Sequence, residues 1–175
     1  MKKLILLLSI ILLIISFIIG GVVSLIISFK NNNPAITSEQ EYFLPELTLN
    51  DLEEEKIKLK KINQPTILLF WLPQSQSCQQ QLEVLTTIND TYQNQLQILA
   101  VGIGALSKTE LRKIAKEKSI DFPIVIDQQA KLTKKLQINT IPTLLLYHPR
   151  QEKEKLVGFK NKQELEQRLK KDLLN

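Results

Sequence analysis

The chain has 175 residues, a formal net charge of +5 and 43% apolar side chains, with a single cysteine, Cys78. One cysteine excludes an internal disulfide, so the chain must fold on its apolar core alone. Leaving out Lys2, Lys3 and Lys30 leaves 20 basic against 18 acidic residues. They are interspersed without a basic stripe, which argues against nucleic acid as a partner.

From Leu4 to Phe29 the sequence "LILLLSIILLIISFIIGGVVSLIISF" carries no charge. At ~1.5 Å per helical residue it is long enough to cross a ~30 Å hydrocarbon core. A cleaved signal peptide has a shorter apolar region that ends at a small-residue site. No such site is evident here, and there is no cysteine for a lipid anchor. The expectation is an uncleaved signal anchor over residues 1–30, with the membrane as a partner through residues 4–29. Lys2 and Lys3 precede the span and Lys30 alone follows it. The positive-inside rule then puts the N-terminus in the cytoplasm and the remainder on the extracytoplasmic side of the membrane, as a single-pass protein.

"NNNPAITSEQ", residues 31–40, is polar and aperiodic and reads as a tether; residues 41–175 are the size of one domain. Within that domain "PELTL" (45–49) and "EKIKLK" (55–60) predict two short strands around "NDLEE". "TILLFW" (66–71) is a strand buried on both faces. A helix is expected from Ser77 to Tyr92, with Leu82, Leu85, Ile88 and Tyr92 on one side, and Ser75 is a suitable N-cap. "LQILAVGI" (96–103) is the next buried strand. "SKTE" (107–110) has the form of a capping box before a helix carrying Leu111, Ile114 and Ala115 inward.

"FPIVID" (122–127) is a short strand or extended segment, and Asp127 can cap a helix containing Leu132 and Leu136. "PTLLLY" (142–147), the turn "HPRQE" and "KEKLVGF" (153–159) predict an antiparallel hairpin. "NKQE" (161–164) opens a last helix with Leu165, Leu169 and Leu173. The order is β-β-β-α-β-α-(β)-α-β-β-α, with the short 122–127 segment in brackets, an α/β fold with crossovers in its middle and a hairpin near its end.

That order, with "FW" closing a buried strand and a cysteine opening the next helix, resembles the thioredoxin fold. More narrowly it resembles the TlpA/ResA-like, redoxin (AhpC/TSA-related) branch of membrane-anchored bacterial thiol–disulfide proteins. "FLPELTLND", "LLFWLPQSQSC", "ELRKIAKEKSIDFPIVID", "LQINTIPTLLLYHP" and "LVGF" carry the resemblance, which spans nearly all of residues 43–174. It implies that Cys78 stands at the second cysteine of a C-x-x-C motif and that Ser75 replaces the first, attacking one. It also implies that Gln81 replaces a carboxylate near the dithiol. Pro142 matches the family's cis-proline, preceded by Ile141, in a segment that lies beside the thiols and pairs with extended substrates. Trp71, Pro73, Gln81, Ile141 and Pro142 are then the candidate binding residues, with no metal and no cofactor.

A dithiol cycle needs an attacking thiolate and a resolving thiol. Ser75 cannot supply the first without a neighbouring base, and His148, the only histidine, reads as an ordinary turn residue. Cys78 has two readings. In the first turn of a helix its thiolate is favoured, whereas the second cysteine of this motif is the less exposed one, and a free cysteine often packs as a small apolar residue. "SQSC" with Pro73 also resembles a peroxiredoxin site, but Pro73 stands five residues before Cys78 rather than seven, and Arg150 is a poor substitute for the peroxiredoxin arginine. The glutamines around Cys78 read either as solvated helix-start residues or as an uncharged groove for peptides. The expected function is that of a thioredoxin-like protein acting on, or binding, extracytoplasmic thiol proteins or peptides, its two-cysteine cycle lost or reduced to Cys78. The alternatives are a one-cysteine peroxidase and a non-catalytic binding module.

Overall fold

A computed structural model describes residues 44–151 and 153–174. The span expected at 4–29 and the tether at 31–40 lie outside the described residues. Among the described residues, no helix is long and apolar enough to cross a membrane.

The expected element order is the observed one. A two-stranded antiparallel hairpin pairs β1 (Thr48–Asn50) with β2 (Lys56–Lys58). A five-stranded mixed sheet contains β3 (Thr66–Trp71), β4 (Gln97–Ile103), β5 (Ile124–Asp127), β6 (Thr143–Tyr147) and β7 (Glu154–Val157) in the order β5-β4-β3-β6-β7. β3, β4 and β5 run parallel, with α1 (Gln76–Tyr92) and α2 (Lys108–Glu117) as their crossovers. α3 (Lys131–Lys135) leads into β6, which pairs antiparallel with both β3 and β7. α4 (Lys162–Arg168) follows and ends in a π-helical turn over Leu169–Leu173.

β3 shows why its sequence is apolar from Ile67 to Trp71. Ile67, Leu69 and Trp71 face one core cluster with Leu82, Leu85 and Ile88 of α1, Leu111 of α2 and Leu165 of α4. Leu68 and Phe70 face a second cluster with Leu132 of α3, Leu59 and Leu44. Side chains alternate across a strand, so one covered on both sides is apolar on both faces; its one polar residue, Thr66 at the start, donates its hydroxyl to the Gln64 carbonyl (3.0 Å).

The two hairpin strands are shorter than expected. After Lys58 the chain turns into a 3-10 turn, Leu59–Lys61, which sinks Leu59 into the second cluster. β7 likewise stops at Val157, because Gly158 takes φ +78°, a left-handed conformation that a glycine adopts without steric cost.

Caps set the remaining boundaries. Ser75 caps α1, which therefore begins one residue earlier than expected, and the Ser107 oxygen accepts the Glu110 N–H at the start of α2. Asn161 and Glu164 form a complete capping box on α4. Asp127 acts from outside α3. Its buried carboxylate accepts the N–H groups of Leu132 (3.2 Å) and Thr133 (2.8 Å) and the Thr133 hydroxyl (2.7 Å). Asp127→Ala strands all three donors and should cost about 3 kcal/mol, while Asp127→Asn, which keeps an acceptor, should cost roughly half of that. Urea unfolding of the two variants checks this; equal losses would show that the acceptor is not what matters.

Candidate site at the β3–α1 junction

The run from Trp71 to Leu82 connects the C-terminal end of the central strand to the first turns of the longest helix. The Ser75 N–H donates to the Leu72 carbonyl (3.2 Å), closing the turn. The Ser75 hydroxyl then accepts the Cys78 N–H (3.4 Å) and shares a hydrogen bond with the Ser77 hydroxyl (3.0 Å). Gln79 reaches back to the Pro73 carbonyl (2.7 Å) and ties the loop to the helix. The polar tract is thus a folded corner, with Ser75 half-buried at its edge and Pro73 buried beneath it.

Cys78 is at 0% relative exposure, in the same apolar cluster as Trp71, Leu82 and Leu69. Its Sγ therefore faces side chains rather than solvent. Trp71 is also wholly buried, and its indole N–H has no partner among the described residues. Neither side chain offers a surface to a bound molecule in this conformation.

Gln81 is fully buried too, and it forms a two-point contact with one peptide residue 79 positions away. Its Oε1 accepts the Lys160 N–H (2.7 Å) and its Nε2 donates to the Lys160 carbonyl (3.2 Å). Only a side chain that carries both a donor and an acceptor fits there. The segment it holds also reaches the proline loop, since the Gly158 N–H donates to the Pro142 carbonyl (2.8 Å).

The Ile141–Pro142 bond is cis. Ile141 is half-buried and packs on the cluster that contains Cys78 and Trp71, and the Thr143 hydroxyl closes the loop onto the Thr140 carbonyl (2.7 Å). The structure therefore links Ser75, Cys78, Gln81, Ile141 and Pro142 in one corner through the shared cluster and these bonds.

His148 and Arg150 lie elsewhere. Tyr147 pairs with Thr66 at the start of β3, whereas the corner is at the end of β3, where Phe70 pairs with Thr143. At ~3.3 Å per residue the length of the strand separates His148 from Ser75, and the His148 ring instead accepts the Arg150 N–H (3.2 Å). Ser75 has no base from that residue. Among the described residues, no group of three or more His, Cys, Asp or Glu side chains is arranged to hold a metal ion.

Lys160 and Gln79 are the members of this corner that sequence reasoning did not single out as site residues. Gln79 carried a local signal, as a polar residue in the first turn of a helix. Lys160 carried none, because it contributes only its backbone.

Comparison with known proteins agrees with this geometry. The family model described as the AhpC/TSA family matches residues 42–153. The thiol-disulfide oxidoreductase ResA of Geobacillus thermodenitrificans is 28% identical over 128 residues, covering 71% of this chain and 73% of that protein. Among solved structures, StoA of Bacillus subtilis aligns with a TM-score of 0.61 at 23% identity, covering 72% of this chain and 97% of that one. A secreted disulfide oxidoreductase of Mycobacterium tuberculosis aligns with a TM-score of 0.66 at 12% identity, covering 72% and 96%. At such identities the structural matches speak for the fold, which is thioredoxin-like. Taken with the match over residues 42–153, the buried β3, the capped α1 and the cis-proline corner lead to one conclusion: the chain belongs to the AhpC/TSA family, among its thioredoxin-like, thiol–disulfide oxidoreductase-related members.

Proposed function

We propose that this chain is a membrane-anchored, extracytoplasmic thioredoxin-like protein whose two-cysteine cycle has been lost and whose proline corner is kept to bind thiol or disulfide proteins as extended peptides. The observation that carries this reading is the pairing of Ser75, at the edge of the corner, with a lone Cys78 at 0% exposure. An alcohol does not attack a disulfide without a base, and a thiol sealed in apolar surroundings is a packing group first. Gln81 adds to it, because an amide neither gives up nor takes a proton in this pH range. The anchor rests on the uncharged run at residues 4–29, and the outward orientation on its basic flank.

Thiol labelling of the full chain in mild detergent tests the reading. Cys78 should react with a disulfide reagent at least ~100-fold more slowly in the native protein than in urea, as expected for a group reached only by opening of the core. Disulfide reduction and peroxide consumption should be at background and unchanged by Cys78→Ala. Rapid native labelling, a Cys78 sulfenic acid with dilute peroxide, or mixed disulfides trapped through Cys78 would instead establish single-thiol chemistry. Resistance of the chain to alkaline carbonate extraction reads the anchor separately.

A further inference from the structure

A different feature lies at the other end of the sheet, where β3 and β4 begin. An open groove of about 340 Å3 is lined by Lys56, Lys58 and Lys61 together with the amides Asn63, Gln64 and Gln97. Alternation along β2 puts Lys56 and Lys58 on one exposed face, while Ile57 turns to the second core cluster. Lys61 enters from the 3-10 turn. The floor is neutral, since the Gln64 amide donates to the Gln97 carbonyl oxygen (2.8 Å).

Among the described residues, no acidic side chain lines the groove. Of the acids nearby, Glu46 pairs with Lys60 (3.3 Å), Glu53 with Arg112 (3.3 Å) and Glu54 with Lys108, while exposed Glu55, next to Lys56, leaves three lysines against one carboxylate. Lys56, Lys58 and Lys61 form no ion pair among the described residues. Three like charges gathered over neutral amides make a site that an anion would relieve.

The geometry points to a docking surface for the phosphate headgroups of an anionic membrane leaflet. This rests on the anchored reading above. The start of the described chain is fastened beside the groove, through the Leu59 N–H to the Leu47 carbonyl (3.0 Å) and through Glu46 to Lys60. Residues 30–43 can span at most ~50 Å, so a chain anchored as proposed stays within that reach of the headgroups. Headgroups are accordingly the anions that the chain itself holds at high local concentration. Each lysine close to an anionic leaflet strengthens docking roughly fivefold, so three give about a hundredfold, in a salt-dependent way.

The full chain is reconstituted in vesicles of phosphatidylcholine alone or with added phosphatidylglycerol, and its lysines are acylated and read by mass spectrometry. Lys56, Lys58 and Lys61 should be acylated at least tenfold more slowly in the anionic vesicles at low salt. Lys134 and Lys135 of α3 serve as unaffected controls, and high salt should abolish the difference. Amide exchange across residues 56–64 should slow in the same vesicles, and a Lys56→Gln, Lys58→Gln, Lys61→Gln chain should not show this. Equal rates in both vesicles overturn the proposal. So does protection in phosphatidylcholine by inorganic phosphate, which would assign the groove to a soluble anion, or by poly-glutamate, which would assign it to an acidic peptide. If alkaline carbonate releases the chain, the anchored reading fails by itself, and lysine protection on the same vesicles added from outside still decides the groove.

Discussion

Ser75→Cys is expected to give the chain a working dithiol. Ser75 is the N-cap of α1 and Cys78 is the third residue of the helix, and residues three apart at a helix start have Cα atoms within disulfide range. The introduced thiol would occupy the place of a hydroxyl that already accepts the Cys78 N–H at 3.4 Å. As a thiolate it would gain from that N–H and from the dipole of a 17-residue helix, both of which lower its pKa.

The cycle balances. The introduced thiolate attacks one sulfur of a substrate disulfide, a mixed disulfide forms and one substrate thiolate leaves. Cys78 then loses its proton and attacks the introduced sulfur. The substrate departs as a dithiol, and the protein keeps the two electrons' worth of oxidation as an internal disulfide. Reduction of a model disulfide such as insulin should rise at least about tenfold over the wild-type background when a dithiol reductant is supplied. Adding Cys78→Ala to Ser75→Cys should remove resolution and accumulate mixed disulfides. A Ser75→Cys chain that forms no internal disulfide would show that Cys78 is held too deep to resolve anything, and would leave binding as the only role for the corner.

Gln81→Glu is expected to destabilise the fold in a pH-dependent way. The wild-type amide meets both polar groups of Lys160, accepting its N–H at 2.7 Å and donating to its carbonyl at 3.2 Å. An ionised glutamate keeps the first bond but turns a second oxygen toward the Lys160 carbonyl, inside a fully buried position. Burial of the charge and loss of a donor act together, and a deficit of about 3 kcal/mol is expected at pH 8. A protonated glutamate has an O–H to donate and restores the pattern.

The folded state therefore raises the pKa of the variant carboxyl above its unfolded value of about 4.3. Such a group leaves stability intact below the unfolded pKa and removes it as pH rises through the folded one. The deficit should be nearly absent at pH 4, grow through the folded pKa and then level off. Urea unfolding of wild type and variant across that range measures it. A deficit that does not change with pH would show that the Lys160 carbonyl is not what the side chain answers to.

The parts of this structure that were legible in the sequence are those whose cause is local. β3 announced itself as five apolar residues in a row, Ile67 to Trp71, because it is covered on both faces. Ser75, Ser107 and Asn161 announced helix starts because a cap bonds within three residues. Asp127 could be named as a cap from its place between strand and helix, although it reaches N–H groups five and six residues on. The placement of Cys78 in the register of a C-x-x-C motif came from resemblance, and its burial is a property of packing that no local pattern encodes.

What was not legible is non-local or counter to propensity. Ala130 takes a left-handed φ of 51° at the start of α3 without being a glycine, where Asp127 gathers the following N–H groups. The 3-10 turn after β2 is dictated by the need to sink Leu59. The Gln81–Lys160 contact joins two polar residues whose sequence neighbourhoods say nothing of each other. Read alone, Gln81 passes for one more solvated glutamine in a polar tract.

The strand order has a consequence for how the chain is made. β3 lies at the middle of the sheet, yet its neighbour on one side is β6, which begins only at Thr143. Until that segment has left the ribosome, a mostly apolar strand presents one unpaired edge, and Gln81 waits longer still for its partner at Lys160. Contacts this far apart in sequence close late, and open apolar edges invite pairing with other chains. A nascent chain halted between β4 and β6 is therefore the species most exposed to aggregation, and the last thirty or so residues act as the closing piece of the whole domain.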